Sequence, residues 1–148
     1  MRCTILLLGM TGLLLAADPP LSEANKKDLE RLQGDWAAVS MMHDGHQLPD
    51  DDAQSLFRNV KGDQYTVFLF KKVIGKGTFK MDASKKPKTI DLQSASAAAK
   101  GQPILGIYDF DGDRWKICYA NPGKERPTDF TVKEGSGHTL AVWEREKK

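Results

Sequence analysis

The sequence predicts an all-β fold, an eight-stranded antiparallel up-and-down barrel with one short helix ahead of it. Three observations lead there. Past Gly34 the apolar residues alternate with period two, the repeat of a half-buried strand. Turn signals such as Asp44-Gly45, Gly62-Asp63 and Asp111-Gly112 separate these segments at the spacing of an all-β chain. A run of short-linked antiparallel strands removes its exposed edges by closing on itself.

Length and composition fit one soluble domain. The chain has 148 residues, of which 40% are hydrophobic and 28% charged. The net charge of +2 is the small difference of 22 basic and 20 acidic residues, which points away from nucleic acid and anionic membrane as partners.

The elements follow in order. Arg2, the apolar run Ile5 to Leu15 and the small pair Ala16-Ala17 have the layout of a secretory signal peptide, with cleavage near Ala17. The run is shorter than the roughly 20 residues that cross a bilayer, although a retained anchor is the alternative reading. The expected division is residues 1–17 as signal peptide, 18–28 as linker and helix start, and 29–148 as barrel. The mature protein is then secreted or periplasmic, without stable membrane insertion. Cleavage also removes Cys3 and leaves Cys118 alone, so no internal disulfide forms. A lone cysteine is more often a small buried hydrophobe than a reactive thiol.

Ser22 reads as an N-cap and Gly34 as a stop, which predicts a helix over Glu23–Gln33. The first strand is Trp36–Met42. A short helical piece, Ala53–Leu56, precedes the second strand, Phe57–Lys61, and the third is Gln64–Phe70. The third strand is apolar on both faces, so its outer face is expected under the helix or a loop. The fourth strand, Val73–Met81, is expected to turn Val73, Gly75, Gly77, Phe79 and Met81 inward and Ile74, Lys76, Thr78 and Lys80 outward. The two glycines leave room and permit coiling. The fifth is Lys88–Leu92, and Ser94 to Gln102 reads as a flexible loop. The sixth, Ile104–Phe110, and the seventh, Arg114–Ala120, flank a tight turn. A weak strand over Phe130–Lys133 follows a long loop, and the eighth barrel strand is Thr139–Arg145.

A resemblance adds to this reading. Gly34-Asp35-Trp36 opens the first strand after a short helix, and Arg145 ends the last. This is similar to the lipocalin arrangement, in which such a Trp plugs the closed end of the barrel beneath a terminal-strand Arg. It implies that Gly34, Trp36 and Arg145 form a structural floor. Further motifs follow in order: Lys61-Gly62-Asp63, Gly77-Thr78-Phe79-Lys80, Lys85 to Leu92, Leu105-Gly106-Ile107-Tyr108, Pro122 to Phe130, and Gly135-Ser136-Gly137-His138. Together, over about Leu29 to Arg145, they resemble the lipocalin-like domain family of secreted planctomycete proteins. The resemblance implies the fold and export, and assigns no activity.

Candidate chemistry is sparse. His43 and His46 flank Asp44-Gly45, with Asp50-Asp51-Asp52 behind, but match no metal motif, so a polar hairpin is favoured and no metal is expected. Asp109 to Asp113 lacks the glycine position and closing Glu of a calcium loop. Gly135-Ser136-Gly137-His138 lacks the spacing of a nucleophile elbow. The lysines from Lys71 to Lys88 lie opposite Phe79 in parity and read as a solvated face. Arg126 either meets an anionic group or ties down its own loop, with the second favoured.

The aromatic residues Tyr65, Phe79, Tyr108, Phe110, Trp115 and Tyr119 are the candidate ligand-binding set. They either line a small-molecule site or fill the barrel, since eight strands allow both. The leading expectation is a non-enzymatic binding module for a small apolar ligand in the barrel interior, with no cofactor. The alternative is a filled barrel that meets a protein partner through residues 121–129. A metal-assisted enzyme using His43 and His46 ranks last, because no nucleophile or acid–base pair is positioned.

Overall fold

The computed structural model describes residues 20–147. The predicted signal segment lies outside the described residues. Helix α1, Glu23–Leu32, starts where Ser22 accepts a hydrogen bond from the Asn25 backbone N–H at 3.2 Å. Nine strands follow: β1 (Gly34–His43), β2 (His46–Gln47), β3 (Leu56–Lys61), β4 (Gln64–Leu69), β5 (Lys72–Asp82), β6 (Lys88–Ser94), β7 (Ile104–Asp111), β8 (Arg114–Tyr119) and β9 (Thr139–Arg145). A short helix α2, Asp50–Gln54, joins β2 to β3. The two-residue β2 only extends the end of β1 as a hairpin.

The other eight strands pair antiparallel in chain order, and β9 returns to pair with β1, Trp36 opposite Arg145 and His43 opposite Thr139. That pairing closes the sheet into an eight-stranded antiparallel barrel, an arrangement consistent with the calycin or lipocalin-like fold. One end is a floor beneath α1, where β1 starts and β9 finishes. The other end is a mouth, reached by Met41, Leu56, Leu69, Ile104 and Tyr119.

Alternation places Trp36, Val60, Tyr65, Phe79, Ile90, Tyr108, Trp115, Ile117 and Trp143 in the buried interior. Gly34 adopts a φ of +110°, and a Cβ there would lie 3.1 Å from an Arg145 guanidinium nitrogen. Glycine thus meets a backbone and a packing requirement at once.

Four expectations are corrected. In β5 the register against β4 slips between Val67 and Phe68, so Val67 faces Gly75 while Phe68 faces Val73. The extra residue is Ile74, a β-bulge that reverses the expected facing at this end of the strand. Ile74 reaches the mouth, and Val73 is exposed on the outside. The outer face of β4 is not covered by the helix either, because α1 closes the floor, and Phe70 at the hairpin tip is 64% exposed. No strand forms over Phe130–Lys133, since the 120–138 connection has other backbone partners. Within Ser94 to Gln102, Ala97–Ala99 makes a 3-10 turn capped by Ser96, with Ala99 buried.

Candidate functional site

The interior divides into two halves. At the floor, the Arg145 guanidinium lies 4.5 Å from the Trp36 ring centroid and donates to the carbonyls of Gln33, at 2.7 Å, and Arg31. The Trp36 indole N–H donates to Leu32 O at 2.8 Å. These bonds satisfy carbonyls at the end of α1 that have no helical partner. Beside them, the buried Asp28 carboxylate accepts from the Tyr108 hydroxyl at 2.8 Å and from Lys88 Nζ at 2.9 Å. Burial, then the Asp28 carboxylate, push the Tyr108 hydroxyl far above its ordinary pKa, so it stays a donor. Inside the barrel this half is filled by fully buried side chains, Trp36, Tyr108 and Ile117 among them, and the groove of about 390 Å³ at this end lies between α1 and β5.

The mouth half is not filled. It holds a cavity of about 250 Å³ that opens to solvent. Met41, Leu56, Val67, Ile74, Leu92 and Ile104 supply its apolar wall, Tyr65 and Tyr119 carry hydroxyls, and Trp143 and Arg58 complete the lining. Gly75 also lines it, with nothing within 4 Å of where a Cβ would sit, and so keeps the opening wide.

Arg58 is the unusual member. It sits on β3 with the inward parity of Leu56 and Val60 and is 5% exposed. Its guanidinium carbon lies 4.4 Å from the Tyr65 ring centroid, 5.0 Å from that of Trp115 and 5.8 Å from that of Trp143. These are cation–π distances. Among the described residues no carboxylate pairs with it, and the buried Nε has no hydrogen-bond partner. The indole N–H groups of Trp115 and Trp143 are likewise buried and unpartnered. Burial holds the Arg58 pKa below its ordinary value, opposed by the nearby tyrosines Tyr119 and Tyr65. Burial raises the hydroxyl pKa of both tyrosines, opposed by the Arg58 charge, so each keeps its proton.

The six aromatic candidates therefore occupy different places. Tyr65 and Tyr119 are on the cavity wall, and Trp115 lies directly under Arg58. Phe79 is buried toward the floor. Tyr108 and Phe110 meet there edge to face at 5.8 Å, with Arg31 4.6 Å above the Phe110 ring. Sequence reasoning missed Arg58 and Trp143. A usable signal existed for Arg58: in Leu56-Phe57-Arg58-Asn59-Val60 it shares the parity of two aliphatic residues.

The remaining candidates are occupied locally. His43 and His46 face each other across the hairpin, but His43 Nδ1 bonds Thr139 Oγ1 at 2.8 Å and His46 Nδ1 bonds Asp44 O at 3.0 Å. Asp44 accepts from the Gly137 backbone N–H at 2.7 Å, which ties the Gly135-Ser136-Gly137-His138 turn to this hairpin. His138 lines a shallow polar depression with Asp129, Thr131 and Ser136. Among the described residues no group of three or more His, Cys, Asp or Glu is arranged to hold a metal.

In the 121–129 loop, Arg126 donates to Gly106 O at 2.7 Å and Ile90 O at 3.3 Å, and pairs with Asp91 at 2.7 Å. It fastens the loop to the outer wall of β6 and β7. Cys118 points outward by parity yet is fully buried, and burial pushes its thiol pKa up to about 11. Comparison with protein-family models finds no match, and comparison with curated proteins finds no relative.

Proposed function

We propose that this chain is an exported binding module of the lipocalin-like kind, which takes one small molecule with an apolar body into the mouth half of its barrel. The single observation that carries the reading is the contrast between the two halves. The floor is filled by Trp36, Tyr108 and their neighbours, while the mouth keeps a cavity of about 250 Å³ with a mostly apolar wall. Ligand pockets typically measure roughly 300–1,000 Å³, so the ligand is small.

Export rests on the Arg2, Ile5–Leu15 and Ala16-Ala17 segment. Kinship with the secreted planctomycete family rests on the ordered motifs between Leu29 and Arg145. A non-enzymatic role rests on the sequence, in which no nucleophile or acid–base pair is positioned.

Native mass spectrometry of the mature protein, purified gently from its own exported compartment, tests this reading. The expected result is a reproducible extra mass that is lost on denaturation. A preparation carrying only the bare chain mass would move the reading to a structural barrel with protein partners at the 121–129 loop.

A further inference from the structure

An apolar ligand alone leaves the mouth cavity chemically incomplete. Arg58 places a cation there with no carboxylate partner among the described residues, and its Nε is buried and unbonded. Buried charges are ordinarily paired, and buried donors ordinarily bonded. The three rings around Arg58 spread its charge without neutralising it. The indole N–H groups of Trp115 and Trp143 are also buried and unpartnered, Trp143 lines the cavity, and nothing lining the cavity carries a negative charge. Every polar side chain that lines the cavity can donate a hydrogen bond: the Arg58 guanidinium, the Trp143 indole, and the hydroxyls of Tyr65 and Tyr119.

We propose that the ligand is a small amphiphilic carboxylate, whose anionic head is bound by Arg58 beside Tyr65 and Tyr119 and whose apolar body lies against Met41, Leu56 and Ile104 toward the mouth. This rests on the cavity reading above and names its ligand class. Arginine's planar fork matches a carboxylate with two parallel hydrogen bonds, and an apolar wall of low dielectric strengthens them. The three surrounding rings position the fork, so little freedom is lost on binding. The head is held deep and the apolar body faces the opening, because Arg58 lies one inward position below Leu56 on β3. Water molecules alone could satisfy the indoles but would leave the Arg58 charge unneutralised.

The test compares sodium octanoate with 1-octanol, which share a chain and differ in head charge, by calorimetric titration of the mature protein at pH 7. Octanoate is expected to bind ten- to a hundred-fold more tightly, the range of a charge-assisted hydrogen bond. Arg58→Met should abolish that preference and bring the octanoate-to-octanol affinity ratio close to one. Octanoate and octanol binding alike, with Arg58→Met without effect, would overturn the carboxylate assignment and leave the cavity reading standing. Failure of both molecules to bind the wild-type protein would overturn the cavity reading itself, and this proposal with it. Replacing a lone buried cation by an apolar side chain should also raise the thermal midpoint of the ligand-free protein. If Arg58→Met lacks the native near-ultraviolet spectrum, the octanoate-to-octanol ratio on the wild-type protein decides alone, and a ratio near one overturns the assignment.

Discussion

Trp36 is held from three directions at once. Its N–H is bonded to Leu32 O, Arg145 covers one side of the ring, and Trp115 packs at 5.8 Å and a 58° tilt. Its exposure is 1%. Trp36→Ala would remove the largest side chain of the floor and leave the Arg145 guanidinium above a void. The expected cost is about 3–5 kcal/mol in a chemical melt, and a near-neutral melt would show that the floor does not depend on this ring. At this scale the sequence was partly legible. Trp36 and Arg145 could be singled out because Gly34-Asp35-Trp36 and a terminal-strand Arg are similar to the lipocalin arrangement, which implies a floor at these residues. Arg58 could not be singled out by residue type, because an arginine in a strand is ordinarily outward. Only its parity marked it, and parity has meaning once the strand's inner face is known.

The β4–β5 hairpin shows what decides facing at the scale of an element. Phe70 and Lys71 occupy its tip with φ of +47° and +65°, a left-handed pair in a two-residue turn. Neither residue type favours that region, whose cost is roughly 1–2 kcal/mol per non-glycine residue. Replacing Phe70-Lys71 by Asn-Gly is expected to raise unfolding stability by about 1–2 kcal/mol, read from the denaturant midpoint. No gain would mean that Phe70 makes compensating contacts on the outer face. The bulge at Ile74, just past this turn, explains why strict alternation misassigned Val73 and Ile74 while it placed Phe79 and Met81 correctly. Alternation is a local rule, and a bulge appears only in the pairing of two strands. Phe130–Lys133 failed for a related reason. The segment has enough β-formers to read as a strand, but Phe130 instead lies against Lys116, 4.1 Å from its ammonium, and its neighbours bond within their own turns.

For the molecule as a whole, closure of β1 onto β9 joins the two ends of the described chain and leaves the barrel strands without a free edge. The outward side of β7 and β8 is buried as well, with Ile107 1% exposed and Cys118 fully enclosed. The thiol therefore has a linkage to global stability. In the folded state it keeps its proton up to about pH 11, whereas the ordinary thiol releases it near 9.0. Between those values the unfolded chain binds fewer protons, so stability falls as pH rises. The denaturation midpoint is expected to drop from pH 8.5 to 10.5, on the order of the thiol's own titration range, and Cys118→Ala should flatten that slope. An unchanged slope in Cys118→Ala would place the alkaline loss in other groups, the raised Tyr108 hydroxyl first among them.

The sequence by itself determined the class of fold, because period-two alternation and turn chemistry are properties of neighbouring residues. It also determined where the helix begins, through Ser22, and where most strands lie. The tertiary structure decided what the interior contains. Which half of the barrel is solid, which two of six aromatic residues reach a cavity, and whether Arg58 meets a carboxylate all depend on side chains brought from strands far apart in the chain. Those contacts are set by register, bulges and closure, and none of these is a property of any single segment.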